Sequence, residues 1–565
     1  MTATQDRARL RARSGATPPP RPPARWDRRG WALAIGALVV WSLSRAGIDL
    51  PGLINQRGWG QVQDFFAAMV HPDLSGDFLL LTVEETIVTL GYALLGTALA
   101  VAIGVVGGVL TSQRLWLPQA GAPSAPARWG WRTGRFAFAV PRSIHEVIFG
   151  IMLLNVLGLD PLVAVFAIGI PFGAVTAKVF SEMLDEAPSG AEKAMRAAGA
   201  GRLTALLFGV VPTATGDLLS YSFYRFECAI RSAAVLGIVG AGGLGFQLAL
   251  SFQSLRYDQM WTLLWALIIM SGTVDWWSSQ VRRRRAIPNG SMHELEGISH
   301  SPRRDPFLRS SALFAAAMIP VAWWWLELSL TSLWSNRTRD LGRQFAADIW
   351  PPRLGDGGWG DLMSDAADTV ALAALALVIS WTLASAIAFL AARRPERPTT
   401  AAGWSLRIAG TAARLVLLMA RSIPPPVWAF LAVFVFFPGL WPGVIALALY
   451  ELGVLGRLEA EVVENLDHRP GRALAALGAT RLGEVGYATL PAATTRFVAL
   501  GLYRSEVAIR DTVVVGVVGA AGLGRRIEQQ AAAFDYHAMT TSILTLVLIT
   551  VAVDLASAAI RRSLR

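Results

Sequence analysis

One cysteine, Cys228, stands in 565 residues, so neither an internal disulfide nor a cysteine-based metal cluster can form. Only two lysines are present, Lys178 and Lys193, and neither follows a glycine-rich loop. A phosphate-cradling loop ending in Gly-Lys-Ser/Thr is therefore missing, and ATP hydrolysis is not encoded in this chain. The six histidines are scattered, with no helical His-Glu-x-x-His pair and no nucleophile–base constellation beside them. Catalysis, including an intramembrane enzyme, is unsupported. Charge is also scarce: 16 % of residues are charged and 53 % hydrophobic, with a mean hydropathy of +0.45. A soluble protein of this length would need more polar surface to cover its core.

What is present is apolar sequence in blocks of about twenty residues, the length that crosses a ~30 Å hydrocarbon core. Blocks fall near 30–43, 86–110, 136–157, 161–180, 213–239 and 260–281, and again near 312–330, 369–391, 404–437, 442–455, 492–518 and 539–560. The formal charge of +11 sits mostly in arginines of the short loops and termini, the footprint of membrane orientation rather than of a nucleic-acid face. No small-residue cleavage site follows the first block, so it reads as a retained helix. With the N-terminus inside, the basic loops 114–135, 193–202, 282–285 and 393–397 are cytoplasmic, and Arg561, Arg562 and Arg565 put the C-terminus there too. The stretch 332–368 dissents: it should be external yet carries Arg337, Arg339, Arg343 and Arg353 among acids.

The second set of blocks copies the first. Tyr224-Arg225-x-Glu227-x-x-Ile230-Arg231 matches Tyr503-Arg504-x-Glu506-x-x-Ile509-Arg510, and one shift also carries Arg142-Ser143-Ile144 onto Arg421-Ser422-Ile423, Pro212 onto Pro491 and Asp275 onto Asp554. The expected fold is all-α and polytopic, with about 12 transmembrane helices as two parallel 6-helix repeats. Each copy has an even number of spans, so the copies are parallel, with a shared pathway between them. The expected divisions are a cytoplasmic Arg/Pro-rich tail at 1–29, repeat 1 at 30–283, a cytoplasmic linker at 284–308 and repeat 2 at 309–565.

Three duplicated features carry the chemistry. The first is a polar, Ala-rich loop with Lys193, Ala194, Gly199 and Arg202, matched by Arg472, Ala473, Gly478 and Arg481. It suits a short helix ended by glycine, too short to stand without a docking partner. The bland reading is an interfacial connector, which duplication at matched positions disfavours. The second feature is charge inside the membrane. Counted from Pro212, Arg225 lies about 20 Å and Arg231 about 28 Å along its helix. Four such arginines at mid-bilayer, with Arg504 and Arg510, would cost roughly 10–14 kcal/mol uncompensated. Glu227 with Arg231, and Glu506 with Arg510, are spaced to neutralise each other. Arg225 and Arg504 have no partner in this stretch, and the net positive lining suits an anion pathway. The third feature is Arg421-Ser422-Ile423-Pro424-Pro425-Pro426, matched by Arg142-Ser143-Ile144-His145-Glu146. Prolines in mid-block predict a broken helix, the alternative to a binding role being a packing kink with a snorkelling arginine. The runs Gly240, Gly242, Gly243, Gly245 and Gly519, Gly522, Gly524 predict a tight turn or close helix approach.

The loop around Gly199 and Gly478 resembles the coupling segment of ABC importer permeases, Glu-Ala-Ala-x-x-x-Gly followed by Leu-Pro. Lys193 and Arg472 stand where that family has its Glu. Together with the Arg-Ser-Ile stretch, the Tyr-Arg-x-Glu-x-x-Ile-Arg helix and Val239-Gly240-Ala241-Gly242-Gly243-Leu244-Gly245, it resembles the permease of phosphonate-type importers, here with two units fused. The resemblance implies no cofactor on this chain, with ATP and Mg on two copies of a cytoplasmic ABC ATPase. It also implies a periplasmic or lipid-anchored substrate-binding protein, a phosphorus oxyanion as substrate, membrane lipid around the chain, no nucleic acid, and a place in the bacterial inner membrane. Alternatives are a same-class importer for an amino acid or quaternary amine, and a secondary transporter that needs no ATPase.

Overall fold

The computed structural model describes residues 25–47, 55–117, 124–285, 306–393, 401–437 and 439–564. The expected tail through residue 24 and linker residues 286–305 lie outside the described residues.

Repeat 1 comprises α1 (Arg25–Ala46), α2 (Trp59–Ala68), α3 (Gly76–Thr111), α4 (Ala125–Ser143), α5 (Glu146–Leu157), α6 (Leu162–Glu186), α7 (Gly190–Ala197), α8 (Val211–Leu236), α9 (Leu244–Gln253) and α10 (Tyr257–Arg285). Repeat 2 comprises α11 (Pro306–Trp325), α12 (Asn336–Asp348), α13 (Gly358–Ala391), α14 (Ala401–Ser422), α15 (Pro425–Val435), α16 (Leu440–Glu464), α17 (Arg469–Ala476), α18 (Leu490–Gly516), α19 (Leu523–Ala532) and α20 (Tyr536–Leu564). Every apolar block of the sequence falls on a helix or on a helix pair. Six of these helices, α3, α6, α8 with its preceding turns, α11, α13 and α20, are long and apolar enough to cross a membrane, and two bent pairs raise the number to as many as eight. Others fall short of the expected twelve because their apolarity is lowered by interior charges: Asp275 on α10, Glu451 and Arg457 on α16, Arg504 and Asp511 on α18.

The expected breaks are present. α4 and α5 meet at 82°, α14 and α15 at 94°. Proline has no N–H to continue the ladder at Pro424, and at the matching place His145 turns its ring back to accept from Val147 N at 3.2 Å. Beyond each break the half-helix crosses to the other repeat. Ile423, Val427 and Leu431 lie in the core of repeat 1. Ile148 lies in that of repeat 2, with Met152 against it. Phe430 of α15 stacks on Phe252 of α9 at 3.9 Å, and Tyr536 donates to Asn155 Oδ1 at 2.8 Å.

Within repeat 1, α3 and α6 pack closely along most of their length. A Cβ on Gly104 would lie 2.4 Å from Thr176 Cγ2, and one on Gly173 2.7 Å from Ile103 Cβ. Small residues at such contacts let helices approach where lipid offers no hydrophobic drive. The same face of α13 uses alanine instead, with Ala376, Ala384 and Ala388 fully buried. Gly104→Val is expected to destabilise the protein by about 1–3 kcal/mol through overpacking. A thermal unfolding midpoint unchanged from wild type in detergent would contradict this packing.

Candidate functional site

α8 carries the site in order along its length. From Asp217 onward it lines a vestibule of about 630 Å³ through Asp217, Tyr221, Tyr224, Glu227 and Arg231. Arg421, Arg457 and Glu461 face it from repeat 2, and Glu186–Pro188, the segment leading into α7, closes one side. Tyr224, Arg231 and Val454 also line a second, smaller cavity of about 120 Å³, so the two spaces adjoin. This central cavity holds Arg225, Arg231, Arg504 and Arg510, two from each repeat, with the rings of Tyr224, Tyr450 and Tyr503. It has room for several waters or one small solute. Beyond it, Val147, Val235 and Val514 are buried together, with Ile151, Val239 and Val517 packed on them. Vestibule, cavity and apolar seal thus follow one another along α8, and the cavity is walled from the glycine-turn end.

The four cavity arginines differ in their partners. Arg504 donates from Nε to Glu451 Oε2 at 2.8 Å and also pairs with Glu451 Oε1. Asp511 lies 3.5 Å from it, and His145 Nε2 lies 3.4 Å from Asp511. Arg225 has no carboxylate within 4.0 Å among the described residues. It donates to the Tyr221 hydroxyl at 2.9 Å and lies over the Phe172 ring at 5.0 Å. Arg510 donates to the Arg142 carbonyl at 2.7 Å. Arg231 is 4.0 Å from Glu227, a loose contact at best. Glu227 is instead held by Arg421 at 2.6 Å and Arg457 at 2.9 Å, and Asp275 by Arg421 at 2.7 Å and again by Arg457. This cluster joins two acids of repeat 1 to two arginines of repeat 2. At the matching place across the seam, Arg142 and Asp554 are 3.7 Å apart.

The sequence-selected residues therefore separate. Arg225, Arg231, Arg504 and Arg510 meet in one cavity; Glu227 and Arg421 belong to the vestibule and its ion cluster. Arg142, Ser143, Ser422 and Glu506 line neither space, and the expected Glu506–Arg510 neutralisation is replaced by the Arg142 carbonyl. Glu451 stands inside the short apolar block at 442–455, where it was not singled out, and Arg457 lies just past it, on the part of α16 that runs on to Glu464.

The duplicated loops form short helices, as expected, each closed by a left-handed glycine: Gly199 at φ +92° and Gly478 at +85°. Lys193, Ala194, Arg472 and Ala473 are exposed on them. Arg202 donates to the Trp116 carbonyl at 2.7 Å; the side chain of Arg481 lies outside what is described. Glu192 decides a difference between the two loops. It is buried and takes Arg114 at 2.5 Å, tying α7 to the end of α3, whereas Gly471 stands at the matching place in α17. The glycine turns are also built alike. Gly240, Gly242, Gly243, Gly519 and Gly522 have left-handed φ, and a Cβ on Gly245 or Gly524 would strike backbone of α8 or α18. Thr89 Oγ1 accepts from Leu244 N at 2.9 Å and Thr369 Oγ1 from Leu523 N at 2.8 Å, capping α9 and α19 from a distant helix.

Two parallel helical units around a polar seam cavity define a multi-pass membrane permease. Residues 120–277 and 399–565, together more than half of the chain, match the family of binding-protein-dependent transport system inner membrane components, and the chain belongs to that family. Such a component works in the inner membrane with a substrate-binding protein. The phosphate-import permease protein PhnE of Mycolicibacterium smegmatis is 27 % identical over 84 % of each chain. The phosphite transport system permease protein PtxC of Stutzerimonas stutzeri is 27 % identical over 46 % of this chain and 90 % of its own. A cryptic phosphonate transport system permease protein of Escherichia coli is 37 % identical over 19 % of this chain and 89 % of its own. Among solved structures, the MetNI methionine ABC transporter in an inward-facing form is similar at 22 % identity, covering 38 % of this chain and 100 % of that one, with a TM-score of 0.33.

The asymmetry of the ion clusters is measurable. Glu227→Gln removes the negative charge shared by Arg421 and Arg457 and is expected to cost about 3–5 kcal/mol. Glu506→Gln, at the matching position outside both networks, is expected to cost less than about 1 kcal/mol. Equal losses of thermal stability in the two variants would contradict the assignment.

Proposed function

We propose that this chain is the complete membrane pathway of an ATP-driven importer for phosphonate, phosphite or a related phosphorus oxyanion. The observation that carries the reading is the seam cavity with four arginines, two of which, Arg225 and Arg510, have no carboxylate within 4.0 Å among the described residues. A guanidinium without its own acid can lend its fork to a tetrahedral oxyanion, and tyrosine hydroxyls add donors. The names of the relatives, phosphate-import and phosphite transport permeases, support the same substrate class. Retention is kept weak by the carboxylates nearby: Glu146 and Asp511 share the cavity wall and offset part of its charge.

In this reading the vestibule and the α7 and α17 loops face the cytoplasm, and both termini and linker 284–308 lie on that side. Two ATPase copies engage the two loops, and the binding protein delivers substrate at the glycine-turn end. The apolar seal of Val147, Val235 and Val514 closes the outer side while the vestibule is open below. ATP-driven closure of the loops rocks the repeats about the seam, parting the seal. Exposed Lys193 and Arg472 give both loops a basic docking face.

The test of the pathway uses Arg225→Gln with Arg510→Gln, since Arg504 is committed to buried Glu451 and its removal would unfold rather than inform. Phosphite-stimulated ATP hydrolysis by the reconstituted complex is expected to fall at least tenfold, about 1.4 kcal/mol. Stimulation at the wild-type level would overturn the anion pathway. A panel of phosphonate, phosphite, phosphate and methionine on the cognate binding protein separates this reading from a same-class amino acid importer. For the loops, Ala194→Glu and Ala473→Glu change exposed positions only and are expected to abolish co-purification of the ATPase. Complexes that survive both changes would refute the coupling role.

A further inference from the structure

α11 is fastened to repeat 1 at its two ends, and in between Phe314 meets Trp277 while Ile319 and Ala322 rest on the repeat 1 core, leaving a slot beside these contacts. At one end Leu326 lies on Gly91 so closely that a Cβ there would be 2.9 Å from Leu326 Cδ1. At the other, Trp277 Nε1 donates to Ser311 Oγ at 3.0 Å, and Leu308 is buried with Val281 and Phe223. Between these contacts α3, α8, α10 and α11 enclose a slot of about 870 Å³. Its walls are aliphatic and aromatic, and the hydroxyls among them are already used: Thr97 donates to Ala93 O at 2.6 Å and Ser222 to Leu218 O at 2.8 Å. Nothing in the slot can recognise a polar solute, and water would find no partner there.

The lining of α11 runs from Ala312 to Leu326, about 21 Å at helical rise, against about 15 Å for half of a 30 Å hydrocarbon core. One mouth is basic. Arg309, exposed, lies one helical turn before Ala312. The matching helix α1 is held against repeat 2 differently. There α1 is pinned to α13 by Arg45, which donates to Asp368 Oδ1 at 2.7 Å, and Ser42 is fully buried.

We propose that this slot is a binding site for one anionic glycerophospholipid, with an acyl chain between α11 and repeat 1 and the headgroup phosphate at Arg309. The apolar walls select hydrocarbon, and the basic mouth selects the sign of the headgroup. The lipid completes the packing of α11, of whose most apolar stretch only 11 % is buried by protein. It does so at the junction where repeat 2 begins, and independently of the transported substrate.

The test is native mass spectrometry of the full chain extracted in mild detergent, challenged with phosphatidylglycerol and phosphatidylethanolamine at equal concentration. Wild type is expected to retain one phosphatidylglycerol in preference. Ala315→Phe with Ala322→Phe, which fill the slot, should lower retention about tenfold. Arg309→Glu should still retain lipid but lower the preference for phosphatidylglycerol about fivefold or more, the effect of a surface arginine. Equal retention of the two lipids by wild type would overturn the proposal, as would undiminished retention in the filled variant. Should the filled variant fail to fold, an Arg309→Glu protein with unchanged headgroup preference would overturn it alone.

Discussion

At Ile144–His145 and again at Ile423–Pro424 the chain turns by 82° and 94°, and the half-helix beyond each turn packs on its own repeat while reaching into the core of the other. A continuous helix of that length would cross the membrane within its own unit, and the two units would touch only along lipid-like surfaces. The break requires backbone groups to be satisfied by protein, which only a buried site allows. Crossing supplies that burial, since Val427 and Ile148 end up in cores built by the opposite repeat. The seam cavity is the space left between the crossed halves, so its position is a consequence of the breaks.

The charges at the seam follow from the same constraint. An arginine in hydrocarbon is costly, and a buried ion pair recovers that cost only with close geometry. Repeat 2 supplies Arg421 and Arg457, repeat 1 supplies Glu227 and Asp275, and the four close at hydrogen-bond distance. Across the pseudo-axis the corresponding pair stands 3.7 Å apart. Fusion of the repeats in one chain permits this, because each position can diverge without its twin. Glu192 opposite Gly471 and His145 opposite Pro424 are divergences of the same kind.

One loop is therefore tied down and the other is not, and one side of the seam is locked more tightly than its counterpart. A symmetric drive on the two loops would meet unequal resistance in the two halves. The apolar seal is shared by both repeats through Val147, Val235 and Val514, so it yields only when they move relative to each other. The vestibule, cavity and seal are consequently one mechanical unit.

The sequence by itself determined the helical membrane character, the duplication, the broken helices and the four arginines, because each is a local matter of apolar length, of proline without an N–H, or of charge within an apolar block. It also marked the two loops and their glycines, whose left-handed turns depend only on the residue at that place. Which acid meets which arginine was decided by the tertiary structure. Glu227 is spaced for Arg231, four residues on in its own helix, yet it pairs with Arg421 and Arg457, nearly two hundred residues away or more. Helical spacing fixes which groups share a face, whereas partnership depends on what the crossing half-helices bring against that face. Arg457 was obscured for the same reason: α16 outruns its apolar block, and burial by neighbouring helices, rather than local hydropathy, is what places it inside.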